Sequence, residues 1–334
     1  MATNQHSINE PLTETKTMLS KINNKILSVS RIRIIITVMS IAALTFDNSV
    51  LAESKQKIFS TGEEAVNAFI KALKESNNVE LLTIFGDEAN DLVSSGDEVI
   101  DKQRRQKFLD AYDEQHRLDA DGNNLVLVIG KNDWPFPIPV VKQSEQWFFD
   151  TNTGMEEIIN RRVGQNELDT IQVMLAIVDA QREYAEKDHD GDGVREYAQK
   201  FASDPGKKNG LYWDTNEAEE PSPLGPFVAE ARQEGYFGKE SSQGPSPYHG
   251  YFYRILTSQG EHAAGGAYDY IVDGNMIGGF AVVAYPADYG SSGVMTFIAN
   301  QDGVVYQKNL GDDTEQKAKV IERFDPDETW AKVE

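Results

Sequence analysis

Nine consecutive residues, Asp188-His189-Asp190-Gly191-Asp192-Gly193-Val194-Arg195-Glu196, carry oxygen donors at a spacing that suits a hard cation. Calcium takes six to eight oxygens, and a loop with carboxylates at positions 1, 3 and 5, glycine at 6 and a backbone carbonyl at 7 can curl around one ion. Asp188, Asp190, Asp192, Gly193 and Val194 fall at those positions, and Glu196 falls at position 9. The expected metal ligands are therefore Asp188, Asp190, Asp192, Val194 and Glu196, with calcium as the ion. Position 12 departs from the pattern: it is Gln199 where a bidentate glutamate would stand, so affinity should fall or an acid such as Asp204 must complete the shell. The competing reading is an acidic turn held by aspartate side chains bonded to nearby backbone N–H groups.

Nucleophilic chemistry has less to draw on. Beyond residue 52 the histidines are His116, His189, His249 and His262, and no two share the i, i+4 spacing of a helical zinc site. A hydrolase would use His249 as general base with Asp269 and a serine such as Ser246 or Ser292, yet no Gly-x-Ser-x-Gly elbow is present and Ser246 sits between two prolines. No catalytic residue is expected, with His249 and Asp269 as the alternative. The glycines from Gly265 to Gly279 lack the lysine and hydroxyl of a phosphate-binding loop, so Asp273-Gly274-Asn275 reads as a hairpin turn and Gly278-Gly279 as a bulge or a close backbone approach. Arg161-Arg162 could grip an anion, but in an acidic chain they are expected to pair with its own carboxylates.

These residues must be positioned by helices first and strands later. Ser60-Thr61-Gly62-Glu63 has the serine-to-carboxylate spacing of a helix cap, and Ala65, Val66, Phe69, Ile70 and Leu73 form one helical face. Leu81, Leu82 and Phe85 predict a shorter helix ended by Gly86, and Phe108, Leu109 and Tyr112 a third. Strand character follows in Leu125 to Ile129 and Trp147 to Phe149, separated by Trp134-Pro135-Phe136-Pro137-Ile138-Pro139, whose alternate prolines make it an extended edge or a crossing segment rather than a central strand. A long helix capped by Asn166 then carries Leu168, Ile171, Met174, Leu175, Val178 and Tyr184 on one stripe down to the acidic loop. Short strands are expected at Tyr251 to Leu256, Tyr268 to Val272, Phe280 to Tyr285, Met295 to Ala299 and Val304 to Tyr306. The fold class is α+β: N-terminal helices on a small antiparallel sheet, then a long helix, an acidic loop and a mainly antiparallel C-terminal part. The expected domains are 57–163 and 164–334.

The first 52 residues read as a cleaved signal peptide. Arg31 and Arg33 precede an apolar run from Ile34 to Phe46, and Val50-Leu51-Ala52 fits a signal peptidase, with the cut after Ala52 and with Met1 or Met18 as the start. The run is shorter than the roughly 20 residues of a membrane helix, so the mature chain is expected in the periplasm without stable membrane insertion. A net charge of -22 argues against nucleic acid as a partner, and the absence of cysteine removes disulfides, thiolate nucleophiles and iron–sulfur sites.

Several ordered motifs carry a resemblance. They are Trp134 to Pro139, Arg161-Arg162-Val163-Gly164-Gln165-Asn166-Glu167, Asp179 to Ala185, Gly210-Leu211-Tyr212-Trp213, Ser222-Pro223-Leu224-Gly225-Pro226, His249-Gly250-Tyr251, Gly278-Gly279-Phe280 and Gly293 to Phe297. Together the stretch from about Phe59 to Trp330 resembles an exported bacterial family, domain of unknown function 2950. The resemblance implies an exported, usually periplasmic protein and brings no activity with it. The order of a long helix, an aspartate-rich loop and an antiparallel sheet is also similar to the soluble part of pilins. The expected function is a non-catalytic binding or envelope-assembly module with a calcium-stabilised loop, recognising an envelope protein or glycan through the aromatic, glycine-rich face of the C-terminal part. The alternatives are a periplasmic hydrolase of cell-wall or glycan material and a pilin-like structural component.

Overall fold

The computed structural model describes residues 56–216, 219–234, 236 and 246–333. The expected signal peptide and its cleavage site lie outside the described residues. The first helix, α1 (Gly62–Lys74), is capped by Thr61, whose Oγ1 accepts the Glu64 N–H at 3.1 Å while the Ser60 N–H reaches back to Glu64 Oε2 at 3.0 Å. The reciprocal cap therefore sits one residue later than the expected Ser60–Glu63 pair, because Thr61 is the residue with extended backbone and an oxygen aimed at the helix start. Next come α2 (Asn78–Phe85), closed by Gly86 in a left-handed conformation, the single turn α3 (Asn90–Val93) and α4 (Glu98–Glu114).

The helices pack on an antiparallel sheet of β1 (His116–Asp121), β2 (Asn124–Ile129), β3 (Trp134–Pro135), β4 (Val140–Gln143) and β5 (Gln146–Phe149). The order is β1-β2-β4-β5, with β3 touching only the end of β2. The proline run is the extended edge its sequence predicts. Its apolar alternates, Phe136 and Ile138, are buried, and the Phe136 N–H donates to the Leu127 carbonyl at 2.7 Å. Phe69 is the hub of the first core, with Phe85, Phe108, Phe136 and Phe149 rings 5.1–5.6 Å from it.

Helix α5 (Thr151–Tyr184) is unbroken over 34 residues. Asn166, expected as its cap, lies in its middle and is fully buried; Asp150 is the N-cap position. Gly164 suggests a break, but nothing stands near that position and the apolar positions continue through it, so the helix continues too. The helix thus runs straight across the 163/164 position at which two domains were expected to meet. Its start packs with Met155 and Ile158 on the first core, and its second half gives Val173, Met174, Ile177, Val178 and Tyr184 to another.

That second core is built on a sheet of order β14-β13-β12-β11-β6, comprising β6 (Tyr251–Leu256), β11 (Ala281–Pro286), β12 (Met295–Asn300), β13 (Val305–Asn309) and β14 (Ala331–Lys332), all antiparallel. On β6, Tyr253 reaches Thr170 of α5, while its neighbour Arg254 donates to the Ala318 and Ile321 carbonyls at α7 (Thr314–Lys319). Successive residues point to opposite faces, so helices cover both sides of the sheet. This explains why every residue of β11 is buried and why its sequence is a continuous apolar run. The remaining elements are α6 (Gly225–Glu234), the pair β7 (Ser258–Gln259) and β8 (Tyr268–Asp269), and the hairpin β9 (Ile271–Val272) and β10 (Asn275–Met276), whose two-residue loop is Asp273-Gly274, both with positive φ.

Candidate functional site

The acidic loop follows α5 directly. Carboxylate oxygens of Asp188, Asp190 and Asp192 lie within 4.8 Å of one another, and all three residues are exposed. Asp188 accepts the Gly191 and Gly193 N–H groups at 2.7 and 2.9 Å, and these bonds hold its carboxyl below the usual aspartate range. Asp190 accepts from the Asp192 N–H at 3.2 Å, and Asp192 from the Val194 N–H and from Asn275 of the β9–β10 hairpin, both at 2.7 Å. Glu196 turns to that hairpin: its Oε2 accepts the Met276 N–H at 2.7 Å, and Gln199 donates to the Gly274 carbonyl at 2.7 Å. Three of the expected ligands therefore converge, whereas Glu196 and the position-12 residue tie the loop to the sheet.

The hydrolase residues do not assemble. His249, at φ 51°, has Asp169 and Glu234 at 3.6 and 3.8 Å from its ring nitrogens, stacks edge-on against Tyr248, and leaves Nδ1 buried with no acceptor. Asp269 is exposed on β8 and pairs in register with Ser258. Ser292 is buried and exchanges hydrogen bonds with the Asp288 backbone. The other histidines have structural partners: His116 stacks on Tyr112, His189 on Tyr184, and His262 pairs with Asp325.

A cavity of about 360 Å³ opens into the first core among α1, α2, α4 and α5. Phe69, Phe85, Phe108, Trp134 and Phe136 line it together with residues Arg104, Arg105, Arg161 and Arg162, and Asp101 is the lone acidic residue among the lining. Arg104 and Arg105 come from α4, and Arg161 and Arg162 from α5. Arg105 donates to the Val93 carbonyl at 2.8 Å, and Arg162 to those of Asp91 and Leu92 at 2.5 and 2.8 Å. These are the open carbonyls of α3, where a cation is favoured. The expected carboxylate pairing thus fails for Arg162, whose burial lets it serve a helix end instead. It holds for Arg161, which pairs with Glu157 and lies over the Trp134 ring. Arg104 donates to Asn166 Oδ1 at 2.7 Å, while its Nη1 is buried with no acceptor. Burial pulls the pKa of both Arg104 and Arg162 down, against the opposing field of Asp101.

A family model described as "Protein of unknown function (DUF2950)" matches residues 56–333. The chain belongs to this family. No curated protein and no solved structure matches it, so membership in the DUF2950 family brings no activity with it.

The cavity is what sequence reasoning missed in this DUF2950 chain. Phe69, Phe85 and Phe136 read as core, which they also are. Arg104 and Arg105 lie on a helix of low apparent amphipathicity and carry no motif. The available signal was the pairing of Arg161-Arg162 with an unusually aromatic proline run.

Proposed function

We propose that this protein is an exported, non-catalytic binding module of the bacterial envelope whose ligand site is the aromatic cavity of the N-terminal half. The carrying observation is a cavity of about 360 Å³ lined by five aromatic rings, within the range of about 300–1,000 Å³ of small-molecule sites. No helix among the described residues is long and apolar enough to cross a membrane, which accords with a chain that works beside the membrane rather than through it. The acidic loop enters this reading as a stabiliser. A calcium ion held by Asp188, Asp190 and Asp192 would relieve their mutual repulsion and lock the loop to the β9–β10 hairpin. Asp269 lies beyond the far end of β6 from His249, and Ser292, although it stands beside Gly250, bonds to the Asp288 backbone and not to His249, which supports a binding role over hydrolysis.

The test uses a neutral apolar fluorophore, N-phenyl-1-naphthylamine. Its emission rises on addition of the chain, and Ile158→Trp, which fills the cavity from α5, abolishes the rise. An unchanged signal in the folded variant overturns the assignment.

A further inference from the structure

Resting on that cavity assignment, we propose that its ligand presents an uncharged, flat aromatic ring system to the cavity. Four arginines and Asp101 belong to the lining, yet the wall they leave accessible is almost entirely apolar. The charged heads are turned to the protein. Arg105 donates to the Val93 carbonyl and Arg162 to those of Asp91 and Leu92, Arg161 pairs with Glu157, and Arg104 donates to Asn166 and keeps its Nη1 buried. Asp101 accepts the Ser95 N–H and hydroxyl at 2.8 and 2.7 Å. What the arginines give the cavity is their apolar stems. A carboxylate or ammonium group brought here would lose its water and gain no partner, so an ionised ligand is rejected.

The rings decide the shape. Phe69 stacks on Phe136 with centroids 5.3 Å apart and stands edge-on to Phe85 and Phe108 at 5.1 and 5.5 Å, while Trp134 meets Phe108 at 89°. Rings set at these angles offer a guest both faces and edges, and a flat aromatic guest gains from each beyond the apolar area it buries. A saturated guest of the same skeleton gains only the burial.

Displacement of bound N-phenyl-1-naphthylamine by naphthalene, by its half-saturated relative tetralin and by 1-naphthoate decides this. A cavity that selects for apolarity alone prefers tetralin, the more hydrophobic of the two hydrocarbons. Naphthalene displacing the probe at about one third of the tetralin concentration or less is therefore the expected and diagnostic result. 1-Naphthoate should need about tenfold more than naphthalene. In Phe108→Leu, which keeps the wall apolar but removes a ring, the naphthalene preference should shrink while tetralin still displaces the probe. Tetralin acting as well as naphthalene overturns the aromatic claim, 1-naphthoate acting as well overturns the neutral one, and both leave the cavity assignment intact. A probe that does not bind overturns cavity and ligand together. A preference unchanged in folded Phe108→Leu overturns the ring contacts as its cause. Should that variant not fold, the three displacement curves of the unsubstituted chain carry the test by themselves.

Discussion

The carboxylate of Asp97 receives the backbone N–H of Gly250 at 2.9 Å, joining positions 153 residues apart. The same side chain caps α4 by accepting the Val99 and Ile100 N–H groups at 3.1 and 3.2 Å, and it takes the Tyr236 hydroxyl at 2.8 Å. Gly250 comes this close with φ at 76°, where an added Cβ would lie 2.6 Å from Asn166 Nδ2. Asn166 in turn accepts from Arg104 and donates to the Ser292 carbonyl at 2.7 Å. One buried polar chain thus ties the helices of the first half to the sheet of the second.

Asp97→Ala should therefore cost more than a lost cap. It removes a cap worth about 1 kcal/mol and strands the buried Gly250 and Tyr236 donors, at about 1–3 kcal/mol each, so a total of roughly 3–7 kcal/mol is expected. Tyr236→Phe, which removes one donor to Asp97 and the acceptor of the His249 N–H but leaves the cap and the Gly250 bond in place, should cost less, about 1–2 kcal/mol. Chemical denaturation of both variants measures the ratio. Equal losses would show that Asp97 acts only as a cap.

Gly154→Ala tests how tightly α5 is seated. In most helix interiors this change stabilises by about 1 kcal/mol. Here the added Cβ would fall 2.2 Å from the Pro137 carbonyl oxygen and 2.7 Å from the Ile138 nitrogen, backbone atoms that cannot swing away. The expected outcome is a loss of about 1–3 kcal/mol from forced separation of helix and edge strand, seen as a lower unfolding midpoint. A raised midpoint would mean the contact is loose.

Calcium should raise the thermal midpoint of the chain relative to chelator. At a hundredfold excess over its dissociation constant a bound ion adds about 2.7 kcal/mol, and Asp190→Asn should reduce the effect without altering the metal-free midpoint by much, since Asp190 is exposed. The absence of any calcium shift would leave the loop as a turn held by its own backbone bonds.

The Tyr184 hydroxyl should resist ionisation. Burial, followed by the nearby charges of Glu196, Asp190 and Asp188, pushes its pKa up to about 12, and it donates to the Lys208 carbonyl at 2.8 Å. The folded state holds this proton more firmly than the unfolded state, whose tyrosine titrates near 10. Its contribution to stability is complete below about pH 10 and is lost as pH rises from there through 12. Difference absorption at 295 nm in the unsubstituted chain and in Tyr184→Phe follows it, and a Tyr184 component titrating at 10 would contradict the placement.

The elements legible in advance were those whose pattern is local. Leu125 to Ile129, Tyr251 to Leu256 and the Asp273-Gly274 turn announce themselves by aliphatic and aromatic runs and turn residues, and the Asp188 loop by carboxylate spacing. What misled was punctuation read without context. Asn166 has the chemistry of a helix cap, but its partners Arg104 and Ser292 are 62 and 126 residues away. Ser60 and Thr61 are equivalent caps on paper, and only the backbone angle at Thr61 chose between them.

The sequence alone determined the α+β class, the two-stage order of helices and sheet, and the converging Asp188, Asp190 and Asp192, because periodicity and short-range hydrogen bonding are properties of neighbouring residues. The tertiary structure decided the cavity, the bond between Arg104 and Asn166, and the separation of His249 from Asp269. Those depend on which distant side chains share a space, and no spacing along a chain encodes that when the contacts are made by packing.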